Sequence, residues 1–126
     1  MENFSLHGWL GQTSLYYFFI LSIWGYFRFF RKQGIDSNYW GAMMIGEVLL
    51  IVQVLLGLWL FFGKGVAPAR SIHLLYGFLT PVLIPAVYSY TKGREDRPES
   101  LAYATALLIT AALAFRAFST AIDVLP

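Results

Sequence analysis

The sequence predicts an all-α protein, a four-helix transmembrane bundle running up-down-up-down. Three observations carry this expectation. The chain of 126 residues is 58% hydrophobic and 13% charged, with a mean hydropathy of +0.60, well to the apolar side of an ordinary globular domain. Four stretches, residues 7–30, 39–62, 71–90 and 99–122, each reach the roughly 20 residues that a helix needs to cross a hydrocarbon layer. The links between them are short, so residues 1–126 read as a single four-helix domain with no room for a second one. Lipid is the expected surrounding, and no nucleic-acid partner is expected.

Residues 1–6 form a short head in which Glu2 or Ser5 can satisfy free N–H groups where the first helix begins. That helix carries Phe18, Phe19, Trp24, Tyr26, Phe27, Phe29 and Phe30, and its end is basic through Arg28, Arg31 and Lys32. It has no basic n-region and no small-residue cleavage site, so it is read as a retained helix rather than a signal peptide. Gln33 to Asn38 is a turn by composition, with Gly34 just past one helix and polar capping residues before the next. Tyr39 and Trp40 open the second helix with rings suited to the headgroup level. Gly46, Gln53 and Gly57 then fall close together on the helical wheel, a stripe for close helix packing.

Pro68 separates the second helix from the third. The third contains Pro81 and Pro85, each of which removes a backbone hydrogen bond; in a membrane the freed carbonyl needs a neighbour such as a Ser or Thr hydroxyl. Residues 91–100 are the most polar stretch and form a loop, with Pro98 suited to the first turn of an alanine-rich fourth helix whose one internal charge is Arg116. Six basic residues (Arg28, Arg31, Lys32, Lys92, Arg94, Arg97) lie at the first and third links, against Lys64 and Arg70 at the other end. The positive-inside bias therefore places those links in the cytoplasm and both termini outside. The expected setting is a bacterial or archaeal cell membrane.

The chain has two histidines, and both read H-x-x-x-G: His7 with Gly11, and His73 with Gly77. Each opens a hydrophobic segment from the same outer end. In the predicted topology the first and third helices stand diagonally opposite, so the imidazoles can meet a ligand between them at one depth. A glycine one turn on from each imidazole leaves room for a flat group beside the ring. Bis-histidine ligation of haem b is the sharp reading, and two interfacial histidines wetted by headgroups is the bland one. Two histidines lack the further ligands that zinc needs, and the absence of cysteine excludes disulfides, thiolate sites and covalently attached c-type haem. Arg116, about 27 Å along the fourth helix, returns to the histidine end. It and Arg70 are candidates to pair with haem propionates or, alternatively, to snorkel to the headgroups. Glu47 lies about 13 Å deep with no basic residue at its level. It is expected to carry its proton, to face a subunit interface or polar cavity, or to serve a quinol or proton site.

A histidine opening one helix, Q-x-L-L-G in a second, a short proline-containing outer loop and a histidine opening the third together resemble one four-helix half of the heme A synthases. His7 and His73 are 66 residues apart, and Gln53, Leu56, Gly57, Pro68 and His73 stand at the motif positions. The resemblance covers nearly the whole chain and implies a haem held by His7 and His73. The substrate half of that family has a glutamate three residues before its first histidine and an arginine just after it. Here those places are Phe4 and Gly8, which argues against oxidation of a haem methyl group.

The expected cofactor contacts are thus His7, Gly11, Gln53, Gly57, Arg70, His73, Gly77 and Arg116, with His7 and His73 as metal ligands and no catalytic residue. The function read from the sequence is electron transfer by a small membrane cytochrome, as a homodimer or in a larger membrane complex. Its rivals are a haem-modifying or haem-delivering relative of heme A synthase and a non-catalytic subunit of a respiratory or photosynthetic complex.

Overall fold

The computed structural model describes residues 2–65 and 71–122. Those residues are helical, with no strand among them. Helix α1 is Glu2–Phe30 and α2 is Ser37–Leu58, which runs on into a π-helical turn at Trp59–Gly63. Helix α3 (Ile72–Leu79), a 3-10 turn (Thr80–Val82) and α4 (Leu83–Thr91) follow one another as a third rod, and α5 is Arg97–Ile122.

Three rods are long and apolar enough to cross a membrane: Ser37–Gly63, Ile72–Thr91 and Arg97–Phe118. The expectation of four is met in number of helices, but α1 is not among the apolar spans of the described residues. Its 29 residues include three tyrosines and several small polar residues. The distribution explains this composition. Ser14, Phe18, Leu21, Ser22 and Gly25 form one buried stripe, while Tyr16, Phe19, Ile20, Ile23, Phe27 and Phe30 are exposed on the other side. The buried stripe packs chiefly against α5, the most extensive partner of α1.

That pairing is close because small residues line it. A Cβ on Gly25 would come within 2.8 Å of the Ala104 Cβ, so no other residue fits without displacing α5. The Ser22 hydroxyl donates to the Ala104 carbonyl at 3.1 Å, and Tyr26 bonds Thr105 at 3.0 Å. Tyr39 of α2 is fully buried and donates its hydroxyl to the Leu21 carbonyl at 3.0 Å. Around these bonds Phe18, Leu21, Met43, Leu50, Ile84, Tyr103, Leu107 and Ala111 make one core that all four rods share.

At one end, the two polar links are fastened to each other. Ile35 N–H donates to the Glu95 carbonyl at 2.8 Å, and the Ser100 hydroxyl donates to the Gln33 carbonyl at 2.6 Å. Arg97 donates to the Phe29 carbonyl at 2.9 Å and stacks on the Phe29 ring at 4.3 Å. Arg28 donates to the Gly34 carbonyl at 2.8 and 2.6 Å and pairs with Asp36 at 3.3 Å, while Asp36 caps α2 through the Tyr39 N–H. At the start of α5 the Asp96 N–H donates to the Glu99 carboxylate at 3.0 Å, and the Glu99 N–H to the Asp96 backbone carbonyl at 3.0 Å. The six basic residues counted in the sequence are therefore gathered at one end of the molecule.

A histidine-lined cavity at the other end

At the opposite end the rods part around a cavity of about 250 Å³. Helix α1 contributes His7, Gly8, Gly11 and Ser14; α2 and its π-helical turn contribute Leu50, Gln53, Gly57, Leu60 and Phe61. The third rod adds His73, Leu74, Gly77, Phe78 and Thr80, and α5 adds Ala114, Ala117 and Phe118. Most of this wall is hydrocarbon, with a few polar atoms set into it, as in sites for largely apolar ligands.

The two histidines, 66 positions apart in sequence, meet here with ring centres 6.2 Å apart and planes at 81°. His73 Nδ1 lies 2.6 Å from the Ala117 carbonyl. A carbonyl only accepts, so Nδ1 carries the hydrogen and the Nε2 lone pair is left for another partner. The bond also fixes the ring against α5. His7 is held differently. Gln53 donates its amide N–H to the His7 backbone carbonyl at 2.7 Å, tying α2 to α1 beside the ring. A Cβ on Gly57 would lie 3.2 Å from His7 Cε1, so the glycine leaves the imidazole its place.

The glycines therefore differ in role. Gly77 has no atom within 4 Å of where a Cβ would stand, so that space is open cavity. Beside Gly11 the space is shared with the Gln53 amide nitrogen, 3.0 Å from a Cβ built there. Gly46, in the α2 stripe, packs against Phe18 and Tyr17.

Three buried polar atoms of the cavity lining have no hydrogen-bond partner: His7 Nδ1, Ser14 Oγ and Gln53 Oε1. Buried polar groups are nearly always satisfied, so these atoms are poised for a bound group or ordered water. Ser14 went unremarked in the sequence, although its spacing of seven from His7 puts it on the same face. Thr80 has a partner for a legible reason. Pro81 has no N–H for the Gly77 carbonyl four residues back, and the Thr80 hydroxyl donates to that carbonyl instead, at 3.0 Å. The π-helical turn, whose Leu60, Phe61 and Phe62 close one side of the cavity, was not foreseen either.

Compared with protein-family models, with curated proteins and with solved structures, the chain matches none of them. Its own residues must therefore carry the functional reading. Among the described residues no three His, Cys, Asp or Glu side chains gather as a metal site, which leaves the histidine pair as the cavity's donor set. Arg116 is not part of the lining; its guanidinium sits 5.7 Å from the centre of the Tyr76 ring. Arg70 and Pro68 lie outside the described residues, as do the side chains of Glu2, Phe4 and Ser5. Glu47 is half-buried in α2, and its Oε1 is buried with no hydrogen-bond partner.

Proposed function

We propose that this chain is an integral-membrane b-type cytochrome whose four helices run up-down-up-down and hold one haem b between His7 and His73. The observation that carries the reading is that the two imidazoles meet at an apolar cavity, three of whose buried polar atoms lack partners. A metal–imidazole bond is about 2.0–2.1 Å and the ring centre lies roughly 1.1 Å behind the nitrogen, so two imidazoles on opposite sides of one ion stand about 6.3 Å apart. The rings here are 6.2 Å apart. Edge-to-face contact between aromatic rings covers the same range, so it is the surroundings that favour a ligand. With its hydrogen on Nδ1, His73 keeps the Nε2 lone pair for a ligand, His7 Nδ1 has no partner, and Gly77 leaves the adjoining space empty.

When bound, haem supplies a one-electron iron couple. The residues supply the rest. His7 and His73 would both be used in holding the iron, which would leave no open position for oxygen and favour simple electron relay. The Ala117 carbonyl orients His73 and raises its basicity. Leu50, Val54, Leu74 and Phe78 give the site an apolar wall. Arg116 is proposed as a neighbour of the propionate groups, one residue from the Ala117 that anchors His73. The likeness to one heme A synthase half belongs to this proposal, with carrier preferred to enzyme because Phe4 and Gly8 replace the substrate-half glutamate and arginine. Two copies would rebuild the eight-helix arrangement of that family, in a closed dimer.

The test is the absorption spectrum of the purified protein, oxidised and reduced. A Soret band with low-spin visible bands that sharpen on reduction is expected. Protein purified from haem-replete cells without a Soret band would refute the assignment and favour a structural subunit.

The basic links are proposed to face the cytoplasm. Glu95→Cys tests this in a chain with no native cysteine. Its side chain is exposed, whereas neighbouring Gly93 has φ +76 and would be strained by any side chain. An impermeant thiol reagent outside intact cells should leave the Glu95→Cys variant unlabelled until the membrane is opened. Ready labelling of intact cells would invert the orientation.

A further inference from the structure

We propose that Glu47 is a proton-accepting site coupled to the cavity beside it, so that the protein takes up one proton from the aqueous phase with each electron it receives. The inference rests on the haem reading above and adds to it a second function, proton-coupled electron transfer.

The first observation is position. Gln53 pairs with His7 and Tyr17 with Ala42 across α1 and α2, and that register sets Ser14 opposite Gly46 and Glu47. On the other side Trp40 packs on Tyr88 with ring centres 5.7 Å apart; seven residues on from Trp40 is Glu47, and seven back from Tyr88 is Pro81. Glu47, itself outside the cavity lining, therefore stands at the level of Ser14 and Thr80 of that lining. From Ser37, the start of α2, it is about 15 Å into the span.

The second observation is that the side-chain atoms buried without a partner are His7 Nδ1, Gln53 Oε1, Ser14 Oγ and Glu47 Oε1, all on α1 and α2 among the described residues. They follow one another from the outer end inward. Each needs a hydrogen-bond partner, and a water at Gln53 and at Ser14 would supply one while joining the cavity to the carboxyl.

The chemistry balances simply. An external one-electron reductant gives one electron to the cavity's occupant, and the Glu47 carboxylate takes one proton from water to become the neutral acid. One O–H bond forms, and the charge inside the span is unchanged. On oxidation the electron and the proton both leave. Low dielectric makes an uncompensated electron costly, and it makes a nearby carboxylate the group most readily neutralised. Pro85 has no N–H for the Pro81 carbonyl, an acceptor at this level that suits the protonated acid and not the carboxylate.

The other titratable or charged side chains described on the packed elements are Tyr16, Tyr17, Tyr26 and Arg28 on α1, Tyr39 on α2, Tyr76, Tyr88 and Tyr90 on the third rod, Arg97, Glu99, Tyr103 and Arg116 on α5, and the two histidines. Among the described side chains Glu47 is the carboxyl set within the span, since Glu99 stands at the polar link.

The experiment is a redox titration of the haem-loaded protein at several pH values, for the parent chain, Glu47→Gln and Glu47→Asp. The parent midpoint should fall as pH rises, approaching about 59 mV per pH unit, the one-electron equivalent of a tenfold change in proton concentration. Glu47→Gln should lose most of that slope with its spectrum unchanged, and Glu47→Asp should retain it. Redox-difference infrared spectra should show a carboxylic acid band appearing on reduction in the parent and missing in Glu47→Gln. A flat parent midpoint, or a slope and band unchanged in Glu47→Gln, would overturn the inference and leave the haem assignment standing. Protein that binds no haem would overturn both.

Discussion

His73→Ala is expected to cut haem content by more than tenfold, or to leave a five-coordinate, high-spin haem, and His7→Ala is expected to do the same. Removing even an outer partner of a metal-ligating residue costs about 10–100-fold in metal affinity, and here the ligand itself goes. The bond that holds the His73 ring to the Ala117 carbonyl would go with it. Neither change should unfold the protein. Both rings lie at the cavity wall and outside the shared core of Phe18, Leu21, Tyr39, Met43, Tyr103 and Leu107. Circular dichroism should therefore show unchanged helix content, and imidazole in the buffer should partly restore the low-spin spectrum by filling the vacated position. Two single variants that kept the parent's low-spin spectrum would show that the histidines are not the ligands.

How much of this was legible in the sequence depends on which interactions decide each feature. Helix positions follow from apolar length and from local capping, so Asp36 with Tyr39 and Asp96 with Glu99 mark helix starts where composition suggests them. Thr80 could be anticipated because the loss of a donor at Pro81 is a covalent fact. The Gly46, Gln53 and Gly57 stripe was visible too, since spacing alone puts these residues on one face. What each faces was not. That Gly57 meets His7 while the space beside Gly11 is shared with Gln53 depends on the register between helices. The π-helical turn at Trp59–Gly63 leaves no mark in periodicity, because one extra residue per turn is set by tertiary packing. Ser14 was hidden for another reason: serine is unremarkable in a helix until its neighbours prove apolar and its hydroxyl has no partner.

Gly57→Leu should lower haem content almost as far as His7→Ala, although it removes no ligand. A Cβ at this position would lie 3.2 Å from His7 Cε1, and the remaining leucine carbons must occupy the space of the imidazole itself or drive it away from His73. A shift of about 1 Å is enough to break a coordination bond whose length is fixed to within roughly 0.2 Å. The change should not weaken the helix, because leucine is favoured over glycine in a helix interior by about 0.8–1 kcal/mol. Lost haem without lost helix would therefore point to the displaced ring. Gly77→Leu makes the complementary experiment. No atom lies within 4 Å of the place where its Cβ would stand, so the substitution puts leucine carbons into the cavity space without the Cβ pressing on either imidazole. There haem should be excluded by volume, and the bond from His73 to Ala117 should survive as a slowly exchanging imidazole N–H in proton NMR. Full occupancy with a parent-like spectrum in Gly57→Leu would mean that His7 does not bind the metal in the position the structure gives it. The same result in Gly77→Leu would move the cofactor to another part of the cavity while keeping both ligands.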